Sequence, residues 1–281
     1  MANVKDGSSA PASSSDAKKV QPVLSTMGEK AMGKPIFSKG GAAIAMCNQY
    51  AIIVGGNGLA VVDMSVPAAP VVLSKMGEKE MGEPIFSDGG AAIAICGEHA
   101  IIVGGDGLAI IDLHTPTAPT VLAKMGEKEI GRPIFSDGGA AIAMCGQQAI
   151  IVGGNGLTVL DVHSSKAPAV LGKLGEKEMG KPIFSDGGAA IAICGRHAII
   201  VGGNGLTIVD VHTPTAPAVL AKMGEKEMGH PIFKDGGAAI AMYGQYAIIV
   251  GGNGLAVVDP TNARYWPEPE PELPSGCCIV L

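Results

Sequence analysis

Ala91-Ala-Ile-Ala-Ile-Cys-Gly-Glu-His-Ala-Ile-Ile-Val-Gly-Gly-Asp-Gly-Leu-Ala-Ile-Ile-Asp112 is the stretch whose reading decides the fold. It holds three short apolar runs: Ala91 to Cys96, Ala100 to Val103 and Leu108 to Asp112. Between the second and third stands Gly104-Gly105-Asp106-Gly107. An Asn-Gly or Asp-Gly pair between β-branched runs marks a tight hairpin, because both turn positions need positive φ. A fourth run, Pro119-Thr-Val-Leu-Ala-Lys124, follows a Pro-rich turn. The stretch therefore predicts four strands.

The same pattern begins at Met27, Met76, Met125, Leu174 and Met223, each 49 residues after the last. Its turn pairs are Asn57-Gly58, Asp106-Gly107, Asn155-Gly156, Asn204-Gly205 and Asn253-Gly254. A fixed period of this length is the mark of a repeat architecture. Apolar residues fill consecutive strand positions, so both faces of each small sheet must be buried. Sheets stacked face to face around an axis meet that demand, which predicts an all-β, five-bladed β-propeller. The first strand of each copy is rich in Gly and Ala, as in Gly138-Gly-Ala-Ala-Ile-Ala143, and is expected innermost. Repeated Gly-Gly pairs argue against a helical repeat, and a β-solenoid is the alternative.

Outward from the repeats, residues 1–19 read as a disordered, Ser/Ala-rich leader. Val20-Gln-Pro-Val-Leu-Ser-Thr-Met27 matches the end of a repeat, Ala69-Pro-Val-Val-Leu-Ser-Lys-Met76. The fifth copy stops at Asp259 without its own Ala-Pro-x-Val-Leu run. The expectation is a propeller over residues 20–260, closed by this N-terminal strand, which removes the open sheet edges. Residues 261–281 form a Pro/Glu-rich spacer ending in Ser275-Gly-Cys-Cys-Ile-Val-Leu281.

The net charge is −6 and aromatic residues make up 4% of the chain, with no Lys/Arg cluster, which disfavours nucleic-acid binding. There is no signal-peptide core and no apolar run long enough for a transmembrane helix. Ala2 excludes N-myristoylation, which needs glycine there. Cys47, Cys96, Cys145 and Cys194 share one repeat position, taken by Tyr243 in the fifth copy. On separate blades they are expected as free, buried small hydrophobes in a reducing compartment.

No His-Glu-x-x-His, Cys-x-x-Cys or Gly-x-Ser-x-Gly occurs, so nothing here demands an enzyme, a metal or a cofactor. The Gly-Gly-Asn-Gly turns lead into strands and lack the Gly-Lys-Ser/Thr of a phosphate loop. The aspartate closing each third strand is expected to bond a backbone amide two residues on. His114, His163 and His212 share a position and are expected as exposed turn residues. The candidate site is Asp88, Asp137, Asp186 and Asp235, with Lys39 in the fifth place, each before the Gly-Gly that opens a first strand. At an axial mouth these carboxylates would focus potential on a cation or basic ligand; capping of the Gly-Gly turn is the alternative.

Leu59-Ala-Val-Val-Asp63, Leu108-Ala-Ile-Ile-Asp112, Leu157-Thr-Val-Leu-Asp161, Leu206-Thr-Ile-Val-Asp210 and Leu255-Ala-Val-Val-Asp259 resemble the signature of the LVIVD repeat. That resemblance implies a propeller fold and no catalytic activity. Cys278-Ile-Val-Leu281 resembles the C-terminal prenylation box of small GTPases, though no GTP-binding motif precedes it. It implies a geranylgeranyl group on Cys278, with Cys277 placed for palmitoylation. The function expected is a non-catalytic interaction platform, monomeric, tethered by prenyl and palmitoyl groups to the cytosolic face of a membrane, with an unidentified protein or small ligand as partner. A multivalent small-ligand or glycan-binding, lectin-like propeller is the second reading, and a propeller enzyme the third.

Overall fold

The structure, a computed structural model, describes residues 23–32, 42–55, 58–81, 91–104, 107–130, 141–153, 156–179, 190–202, 205–224, 239–251 and 254–260. The first repeat forms β1 (Ala42–Cys47), β2 (Tyr50–Gly55), β3 (Gly58–Asp63) and β4 (Val71–Gly77). The second forms β5 (Ala91–Cys96), β6 (His99–Gly104), β7 (Gly107–Asp112) and β8 (Thr120–Gly126). The third forms β9 (Ala141–Cys145), β10 (Gln148–Gly153), β11 (Gly156–Asp161) and β12 (Ala169–Gly175). The fourth forms β13 (Ala190–Cys194), β14 (His197–Gly202), β15 (Gly205–Asp210) and β16 (Ala218–Gly224). The fifth gives β17 (Ala239–Tyr243), β18 (Tyr246–Gly251) and β19 (Gly254–Val258). Each repeat makes its own antiparallel sheet in chain order: four of four strands and, among the described residues, a last one of three.

Two glycines shape each repeat for different reasons. Cys96 pairs with His99, so the first hairpin turns on Gly97 and Glu98, and Gly97 has φ +60°. Only Gly, or Asn at some cost, takes that conformation readily, and Asn48 takes it in the first repeat with φ 55°. The second hairpin departs from expectation by one residue. Gly104 pairs with Gly107, so Gly107 is already in β7 and is not a turn residue. Gly107 is needed for close approach instead: a Cβ there would lie 2.7 Å from the Met125 carbonyl oxygen of β8.

The third and fourth strands share a bulge. Ile110 pairs with Ala123 and Ile111 with Val121, so Leu122 is the extra residue. It bends β8 and packs Leu122 against the core. A single helical turn that the sequence did not announce follows β4, β8 and β12, and another follows residues 23–28: α1 (Glu29–Met32), α2 (Glu78–Met81), α3 (Glu127–Ile130) and α4 (Glu176–Met179). In three of them a glutamate reaches back to the amide that precedes the turn: Gly77 N–H to Glu80 at 2.9 Å, Gly126 to Glu129 at 2.9 Å and Gly175 to Glu178 at 3.0 Å. This is half of a capping box. The last residue of each turn, Met81, Ile130 or Met179, is fully buried.

The sheets stack face to face, with β1, β5, β9, β13 and β17 side by side along one line. The small first strands thus lie innermost, and the architecture is propeller-like. Cys47, Ile52, Val54, Leu59 and Val61 of one sheet pack on Ala100, Ile102, Ala109 and Ile111 of the next. The same pattern recurs at the later interfaces. A fully buried Ile, Val or Leu contributes about 1.5–3 kcal/mol, so each interface outweighs any ion pair on the rim, at about 0–1 kcal/mol.

Ring closure by residues 20–27 is not what the described residues form. Val23 to Gly28 make no strand, Val23 and Leu24 are exposed, and β19 pairs with β18 alone. The segment is held at the first sheet and forms no ladder with β19. Ser25 Oγ donates to the Pro67 carbonyl at 2.7 Å, as Ser74 of β4 does to Pro116 of the following repeat. Residues 23–28 therefore sit against the first sheet, in the place of a fourth strand from a preceding sheet. Since β1 and β17 are the two ends of the row of first strands, the stack is open.

Candidate functional site

At one end of each of the first four sheets, the first hairpin and the turn into the fourth strand are tied together. The amides of Met64, Leu113, Val162 and Val211 donate to the carbonyls of Gln49, Glu98, Gln147 and Arg196 at 2.8–3.0 Å. Beside each tie, Asp63, Asp112, Asp161 and Asp210 accept from the amide two residues on, at 2.7–2.8 Å. The capping role expected of these aspartates is the one they have. It also fixes Ser65, His114, His163 and His212 alongside the hairpin tips.

The outcome is a row of side-chain pairs in the second to fifth repeats, while Gln49 of the first donates to the neighbouring Tyr50 hydroxyl. Glu98 accepts from His114 Nδ1 at 2.8 Å, Gln147 Oε1 meets His163 Nδ1, and the Arg196 guanidinium meets the His212 ring. In the fifth repeat Gln245 Nε2 donates to Asp259 at 3.2 Å. The Glu98 carboxylate raises the His114 pKa, first through the hydrogen bond and then through its charge, with Asp112 adding to it. Deeper in, His197 is buried, which pushes its pKa down against the opposing pull of Asp210. His99 meets the Ser165 hydroxyl of the next repeat at 3.0 Å.

The histidines are the exposed turn residues expected, but their partners were missed. A signal was available. Copies that are otherwise nearly identical read Gln49, Glu98, Gln147, Arg196 and Gln245 at one position, so charge varies there while the scaffold does not.

The axial candidates Asp88, Asp137, Asp186, Asp235 and Lys39, and the lipidation candidates Cys277 and Cys278, lie outside the described residues. Cys47, Cys96, Cys145 and Cys194 are free thiols. Cys47 donates to the Gly97 carbonyl at 3.6 Å and Cys145 to that of Gly195 at 3.7 Å, across the interface between sheets. Burial pushes the pKa of Cys47, Cys145 and Cys194 up, which keeps them protonated. Among the described residues, no three His, Cys, Asp or Glu side chains are placed to hold a metal ion. No helix there is long and apolar enough to cross a membrane.

Residues 41–76, 89–125, 187–223 and 236–262 match the LVIVD repeat. These four segments, just under half of the chain, are similar to LVIVD repeats. Between the second and third matched segments, β9 to β12 form the same four-stranded sheet with the same bulge. The structure is similar to that of a functionally unknown protein from Desulfotomaculum acetoxidans, at 12% identity and a TM-score of 0.56, covering 77% of this chain and 64% of that one. It is also similar to a protein from Lactobacillus plantarum, at 13% identity and a TM-score of 0.56, covering 78% of this chain and 66% of that one. The chain thus spans just under two thirds of the length of each, and the likeness is one of fold. No match was found among the curated proteins.

Proposed function

We propose that this LVIVD-repeat protein is a non-catalytic interaction platform of five propeller blades, tethered by lipid on Cys278 and Cys277 to the cytosolic face of a membrane. The observation that carries the platform reading is the row of rim pairs. Five copies of one repeat fill one position with an amide, an acid, an amide, a base and an amide, and four of the sheets hold it by the same hairpin tie. Equivalent small-ligand or glycan sites would need equivalent side chains there. A graded row suits one extended partner that meets each repeat once, with its own charges set opposite Glu98 and Arg196. Charge of this kind sets register and specificity more than raw affinity.

Equilibrium titration tests this reading. A single macromolecular partner is expected, whose affinity falls on Glu98→Arg or Arg196→Glu and recovers in part when the partner's charge is reversed. Several near-equivalent small-ligand sites, unaffected by both substitutions, would establish the lectin-like alternative.

A further inference from the structure

We propose that the protein assembles head to tail: the open face of the last sheet in one copy seats on the first sheet of a second copy, whose residues 23–28 pair with β19. Four interfaces within the chain define which faces fit. At each, the Cys-bearing face of one sheet covers the Ala-rich face of the next. The two faces at the ends of the stack are the two halves of that same interface, the first of them covered in part by Met27 and Met32 of its own chain. In the first sheet Ile52, Val54, Leu59 and Val61 are all fully buried. Their counterparts on the last sheet include Val250, Leu255 and Val257, which are 48%, 60% and 58% exposed. On the first sheet Ile44 and Met46 are 63% and 53% exposed, whereas Ile93 and Ile95 in the second pack against a neighbour.

Two further observations say that these faces meet one another and not an unrelated partner. Inside the chain two of the four interfaces pair a Cys with a Gly, Cys47 with Gly97 and Cys145 with Gly195. At the ends both residues change together: Tyr243 stands in the Cys position and Asn48 in the Gly position. Tyr243 is the most exposed large hydrophobic residue described, and Asn48 keeps the positive φ of the glycines it replaces. The second observation is at Gly254. A Cβ at Gly107 meets the neighbouring strand's carbonyl, and the same holds at Gly58, Gly156 and Gly205, but Gly254 has open space there. The strand that would fill it is residues 23–28, which Ser25 holds beside the first sheet. Because β1 and β17 end an open row, the segment that reaches β19 belongs to another copy. Such an interface joins unlike faces, and head-to-tail contacts of that kind build rings or open filaments of copies.

The pairing of β3 with β4 transfers by the repeat period. Leu59 faces Met76, so Leu255 of one copy faces Met27 of the next. The test uses full-length chains, one carrying Leu255→Cys and the other Met27→Cys, mixed under mild oxidation and mapped by mass. A 27–255 cross-link between the two chains is expected, together with a solution mass that rises with concentration. Gly254→Ala is expected to leave each chain folded and to weaken association by about tenfold or more. The proposal is overturned by a concentration-independent monomer mass. It is equally overturned by a 27–255 link confined within single chains that carry both cysteines, which would mean self-closure, or by protection of β19 from residues 261–281 of the same chain.

Discussion

Gly107 and Gly97 make separable predictions, because one is glycine for want of room and the other for want of a conformation. Gly107→Ala would set a Cβ 2.7 Å from a backbone carbonyl that cannot swing aside. A loss of about 1–3 kcal/mol in unfolding free energy is expected, read from denaturant melts. Gly97→Ala has open space around it and suffers only from positive φ, at roughly 1–2 kcal/mol. Gly97→Asn should be tolerated better, since Asn48 already takes that conformation. Two histidines respond to pH in opposite senses. The His197 pKa is depressed from 6.5 by burial, so its contribution is present above that value and is lost as pH falls below it. Melting temperatures of wild type and His197→Gln should converge as pH falls from 8 to about 5. The His114 pKa is raised from 6.5 by Glu98, so its contribution is full below that value and is lost as pH rises through the raised one. An NMR titration of Glu98→Gln should return the imidazole toward its ordinary value; an unchanged midpoint would remove Glu98 as the cause.

At the scale of elements, the one-turn helices offer a natural comparison. Three of them are tied by a glutamate to the preceding glycine amide, while the first has Ala31 in that place. Ala31→Glu should therefore stabilise the first repeat, by about 0.5–1 kcal/mol, seen as slower hydrogen exchange in β1 to β4. The four strands of each repeat were legible because β-branched runs and turn pairs recur at a fixed spacing. The second hairpin was misplaced by one residue because two glycine requirements overlap there: Gly58 serves β4, not the turn. Four-residue helices are too short to show a period, and the bulge at Leu122 leaves no mark in composition. The rim site was half legible. Charge variation at Glu98 and Arg196 could be read by aligning the copies. Their pairing with His114 and His212 needed two turns to meet, which only the fold supplies.

For the whole molecule, membrane attachment makes the plainest prediction. Glu268, Glu270 and Glu272 precede the proposed lipidated cysteines, and an anionic surface repels them. One lipid chain gives only marginal, reversible binding, so attachment should need both Cys277 and Cys278. Cys278→Ser should release the protein to the soluble fraction, while Cys277→Ser leaves weak, exchanging attachment. Intact-mass spectrometry of protein from its native cells checks the premise, and an unmodified Cys278 would remove it. The interfaces between sheets carry a different kind of consequence. Each interior sheet offers the same two surfaces to its neighbours, so no sheet is specific to its place in the order. Recombination that removes or adds one 49-residue copy leaves surfaces that already fit. Only the first and last copies, with Asn48 and Tyr243, are specific to position. A lineage of such genes can change length by whole copies without passing through a misfolded intermediate, while its ends stay fixed.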